Sequence, residues 1–154
     1  KIVRIAVATG PGGFTGTRLS VVMARTLSQQ LGCSLDGVNS FSLMVPRLAL
    51  ALNSDQLQKP FWIVQELPRR GVVAGCYQLK TTESVLSLND FLEIEAPRLF
   101  SKRIDFEPHI AANDDVAKDV ACLLDHCLES HETGHQSAWS GVLPIYPTSP
   151  VDQR

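Results

Sequence analysis

No strong basic cluster occurs in this sequence; the densest is the pair Arg69-Arg70. Neutralising phosphates takes clustered Lys and Arg. With a net charge of -2 and a pI near 6.1, direct charge-driven binding to nucleic acid is disfavoured. Any RNA connection is expected to run through a partner. Long apolar runs are missing too. The richest stretch, Phe41 to Leu52, is broken by Pro46 and Arg47 and falls short of the roughly 20 residues that cross a bilayer as a helix, so no membrane role is expected. The sequence shows no signal-peptide pattern, no internal repeat and no low-complexity tract. Its four cysteines, Cys33, Cys76, Cys122 and Cys127, form no C-x-x-C pair. In a chain of 154 residues that pattern reads as cytosolic, with reduced thiols.

What is present is an ordinary globular composition, 44% hydrophobic and 19% charged, enough for one domain or two small lobes. Residues 2 to 8 read as a strand buried mostly on both faces. A glycine-rich loop follows from Thr9 to Gly16, then a helix from about Thr15 or Thr17 to Leu31, closed by Gly32. Leu19, Val22, Met23, Leu27 and Leu31 recur at helical spacing, so this stripe is expected to face the sheet. Leu35 to Val38 completes a β-α-β unit, which favours a parallel sheet and an α/β fold. Ser40 is a plausible cap for a further helix to Leu52, with Pro46 awkward inside it. The polar stretch 53–59 before Pro60 suggests a lobe boundary, giving lobes 1–57 and 58–154. Phe61 to Leu67 and Gly71 to Leu79 predict a hairpin turning at Pro68-Arg69-Arg70. Asn113-Asp114-Asp115 predicts a helix start. That helix is expected to run to about Ser130 and to bury Val116, Val120, Leu123, Leu124, Cys127 and Leu128, with Cys122 and Cys127 as small hydrophobes. The tail around Pro144 and Pro147 is expected to be extended.

The glycine loop between strand and helix is a natural anion cradle, because helix N-terminal amides point outward. Two phosphate motifs fail on it. The Walker pattern requires Gly-Lys-Ser or Gly-Lys-Thr, whereas Gly16 precedes Thr17-Arg18 and the spacing from Gly10 is one too long. The dinucleotide fingerprint would need glycine at Thr15. The full string is more specific than its glycines. Gly10-Pro11-Gly12-Gly13-Phe14-Thr15-Gly16-Thr17-Arg18, then a helix, Leu31-Gly32 and Gly37-Val38-Asn39-Ser40, resembles the TsaB (YeaZ) family. Glu95-Ala96-Pro97-Arg98-Leu99 and Leu143-Pro144-Ile145-Tyr146 also resemble family positions. The similarity is dense over residues 1 to 48 and thin beyond. The family's D-A-R-R segment is replaced by Glu66-Leu67-Pro68-Arg69-Arg70, and its opening strands and helix have no counterpart. Since the chain also begins on Lys1, directly in a strand pattern, an N-terminal piece is expected to be missing.

The resemblance implies an actin-like, ribonuclease-H-like α/β fold, with an N-terminally incomplete first lobe and a smaller second lobe. It also implies a scaffold and activator of the catalytic subunit TsaD, with the ATPase TsaE as third member, in forming threonylcarbamoyladenosine on tRNA. TsaD shares the loop but places an H-x-x-x-H metal motif after a Val-Asn dipeptide. Here Val38-Asn39 is followed by Ser40 and, four residues later, Met44. A hydroxyl and a thioether do not replace two imidazoles on a first-row metal. The expectation is a non-catalytic subunit with no cofactor, no bound metal and weak or absent ATP binding; an ATP-using transferase is the alternative.

His131-Glu132-Thr133-Gly134-His135 matches the zinc-peptidase pattern H-E-x-x-H. Gly134 and Thr133 weaken a helix there, and Asp152 is the sole downstream third ligand, so a solvated turn is expected instead. His109 and His126 have no partner pattern, Ser20 and Ser28 have no base at a recognisable spacing, and capping accounts for Asp114 and Asp115. The function is then expected to reside in a surface. With the Leu19 stripe on the sheet, Val21, Ala24 and Ser28, with Arg25 beside them, would face outward and admit a partner helix. That partner would be TsaD or a second copy. Gly10 and Gly12 are expected to be structural, at least one with positive φ or no room for a Cβ.

Overall fold

The structure is a computed structural model and describes residues 1–80, 86–101 and 105–147. Asp152, the residue considered above as a third zinc ligand, lies outside the described residues. The chain forms two compact units. The first comprises Lys1–Leu43 and Val116–Tyr146; the second comprises Met44–Asp115 together with Pro147. A single cut after residue 57 does not describe this division, because the chain returns: the late helix packs on the first strand.

In the first unit, β1 (Arg4–Ala8) leads through the glycine loop into α1 (Phe14–Leu31) and back into β2 (Ser34–Val38). β1 and β2 pair in parallel, Arg4 opposite Ser34 through Ala8 opposite Val38, so the β-α-β reading holds. α1 ends where expected, on Gly32 with φ 60°, a left-handed cap that glycine adopts without Cβ strain. Its orientation is the reverse of the expectation. Val21 and Ser28 are 0% exposed and Ala24 7%, whereas Leu19, Val22, Met23, Leu27 and Leu31 are 44–59% exposed. Val21 and Ala24 pack with Val7 and Leu35, flanked by Ile5, Trp139 and Val142. The face with the smallest side chains lies on the sheet and brings the helix backbone close to the strands. Val21, Ala24 and Ser28 are therefore no partner interface. Arg25 is half-buried, its guanidinium 5.5 Å from the Trp139 ring centre.

α4 (Val116–Glu132) belongs to the same unit, and its burial also departs from the expectation. Val116, Val120, Leu124 and Leu128 are 52–73% exposed, while Leu123 and Cys127 are half-buried and Ser130 is buried. Strand alternation separates the two helices. Ile5, Val7 and Leu35 point toward α1. Arg4 and Asp36 point to the opposite face, where Cys127 of α4 is close enough for Asp36 to act on its thiol.

α2 (Ser40–Leu48) contains Pro46 and is followed by a short 3-10 turn, Ala49–Ala51. Its capping side chain is Asn39, whose Oδ1 accepts from the Ser42 N–H at 2.8 Å, rather than Ser40. α3 (Ser54–Leu57) is a single turn closed by a capping box between Asn53 and Gln56.

The second unit is built on a four-stranded sheet of order β5-β4-β3-β6. β3 (Phe61–Leu67) and β4 (Gly71–Leu79) are the expected hairpin. β5 (Phe91–Phe100) and the three-residue β6 (His109–Ala111) had no strand signal. Pro97 interrupts the β5 pattern, and an edge strand tolerates it because the outer N–H row has no ladder partner to lose. Alternation in β3 places Phe61 and Ile63 on a buried face with Tyr77 and Phe91 nearby. Trp62 takes the other face, against Phe100 and Phe106.

Candidate functional site

The loop from β1 to α1 is tied down on three sides by backbone. The Thr9 N–H donates to the Val38 carbonyl at 2.8 Å. The Gly10 carbonyl accepts from the Ser40 N–H at 2.7 Å, and the Thr9 carbonyl from the Ile145 N–H at 2.7 Å. The Gly10-Pro11 peptide is cis, and Gly10 has φ 94°. A Cβ on Gly10 would sit 3.0 Å from the Ile145 carbonyl and 3.2 Å from Thr17 Cγ2; on Gly12 it would sit 3.0 Å from Thr17 Oγ1. Gly10 thus combines a left-handed turn with no space for a side chain. Pro11 is buried, whereas Gly12, Phe14, Thr15, Gly16 and Arg18 are exposed. Phe14 lies against Tyr146 of the tail, ring centres 4.8 Å apart.

α1 then begins on Gly13 with no capping side chain and no acidic residue in its first turn. Free amides at such an end carry the positive part of the helix dipole. Chemically the loop offers backbone donors, the Thr15 hydroxyl and one cation, Arg18, with no lysine and no carboxylate. At the start of α2, Ser40 is half-buried and Met44 is 4% exposed; neither is a ligand for a hard or borderline divalent ion.

The H-E-x-x-H string is not a zinc-peptidase helix. His131 lies in the last turn of α4 and Glu132 ends it; Gly134 follows with φ 69°, and the His135 N–H closes the turn onto the Ser130 carbonyl at 3.0 Å. The two imidazoles are not one helical turn apart on a continuous helix. No group of three or more His, Cys, Asp or Glu side chains able to hold a metal occurs among the described residues. His109 Nδ1 is 2.7 Å from the Phe106 carbonyl. His126 Nδ1 is buried without a partner in α4.

The sequence reading missed a buried ion pair. Arg4 Nη1 donates to both Asp36 oxygens at 2.8 and 2.7 Å, with the two side chains 5% and 4% exposed. The Ser137 hydroxyl also donates to Asp36, and Arg4 Nη2 to the His135 carbonyl. The pair fastens β1, β2 and the segment after α4 together. It is legible only in retrospect, as one charge in each of two otherwise uncharged strands. Burial chiefly, and then the Asp36 carboxylate, push the Cys127 thiol above its ordinary value, with Arg4 opposing. Burial, with Asp125 and Asp119, does the same to Cys122. Both shifts favour the protonated thiol over the thiolate that reacts.

Comparison with known proteins agrees with the geometry. The family model described as "TsaD: tRNA N6-adenosine threonylcarbamoyltransferase" matches residues 1–79, just over half the chain. No curated protein matches the sequence. Among solved structures, YeaZ from Pseudomonas aeruginosa superposes with a TM-score of 0.62 at 17% identity, covering 94% of this chain and 74% of that one. A second crystal structure, of a protein described as similar to peptidase YeaZ from Pseudomonas aeruginosa, also gives 0.62, at 16% identity, covering 96% and 74%. From its matched β1–loop–α1–β2 unit and its architecture, the chain belongs to the TsaD family and has the actin-like α/β fold of YeaZ.

Proposed function

We propose that this chain is a TsaB-type, non-catalytic scaffold and activator subunit of the tRNA threonylcarbamoyladenosine-forming machinery, acting in the cytoplasm. The observation that carries this reading is Ser40 and Met44 at the two positions where the catalytic paralogue has imidazoles, on a helix that follows the shared loop. The loop supports it by lacking a lysine, and the net charge of -2 supports contact with tRNA only through partners. The partners in this reading are a TsaD-type catalytic subunit and a TsaE-type ATPase, and the chain holds no metal or cofactor of its own.

A second reading, an ATP-dependent transferase subunit, draws on the transferase description of the matching family model and on the uncapped N-terminus of α1 at Gly13. One experiment separates the two. The chain is mixed with a TsaD-type protein, and the complex is assayed for co-elution and for tRNA modification with and without the chain. Co-elution and stimulated modification, with less than a tenth of an equivalent of metal on the isolated chain, are expected. Tight magnesium-dependent ATP binding by the isolated chain would instead establish the transferase reading, and failure to pair or to stimulate would refute the scaffold.

A further inference from the structure

We draw no further inference here: the strongest candidate, the exposed apolar stripe of α4 through Val116, Val120, Leu124 and Leu128, is an unpartnered helix face, and nothing in the structure shows what covers it.

Discussion

Neighbouring residues of α1 should respond in opposite ways to one substitution. Ala24 is 7% exposed and packed among Val7, Val21 and Leu35; Met23, next to it, is 54% exposed. Arginine at 24 has no carboxylate in reach within that cluster, and an unpaired buried charge costs several kcal/mol. Overpacking adds roughly 1–3 kcal/mol. Against a total stability of about 5–15 kcal/mol, Ala24→Arg should lose at least ~4 kcal/mol or leave the first unit unfolded. Met23→Arg forfeits at most about half of the ~1.5–3 kcal/mol of a fully buried side chain. Helix propensity is nearly unchanged and the arginine stem still covers apolar surface, so about 1 kcal/mol or less should be lost. Urea titration followed by far-UV circular dichroism and by fluorescence, Trp139 lying beside α1, measures both. Sub-micromolar protein keeps association out of the comparison. Equal midpoints, or a folded Ala24→Arg beside a collapsed Met23→Arg, would refute the assignment of the buried face.

Removing Asp36 should be costly in a way that removing both partners is not. Asp36→Ala strands Arg4 and should lose ~3–5 kcal/mol, while Arg4→Met/Asp36→Leu should recover most of it in a double-mutant cycle by urea midpoint. Gly10→Ala should lose ~1–3 kcal/mol from its left-handed backbone and its contact with the Ile145 carbonyl, whereas Gly13→Ala, with nothing near its Cβ and φ -60°, should stay within about 0.5 kcal/mol by thermal denaturation. Alkylation of Cys122 should be slower than that of a small unstructured cysteine peptide at neutral pH. Its pKa is raised, so thiolate accumulates only at higher pH than in the peptide; equal rates at pH 7.5, followed by mass spectrometry, would contradict this.

The strand–loop–helix–strand order, the hairpin at residues 68–70 and the Gly32 cap were all legible in the sequence, because each rests on local chemistry. Glycine supplies φ values that other residues resist, and period-2 or period-3.6 patterns need only near neighbours. The loop string was legible too, since Gly10 answers a steric demand at its own position. Burial was not. α1 carries two candidate faces, one of large side chains and one of small, and periodicity alone favoured the larger. The sheet selected Val21, Ala24 and Ser28, because small side chains let the helix seat closely on β1 and β2. The Arg4–Asp36 pair, the return of α4 to the first strand, and the parting of His131 from His135 at Gly134 likewise depend on residues far apart in the chain. Local propensity encodes what each segment becomes. Which side of it is core depends on what the chain brings against it, and only the tertiary structure decides that.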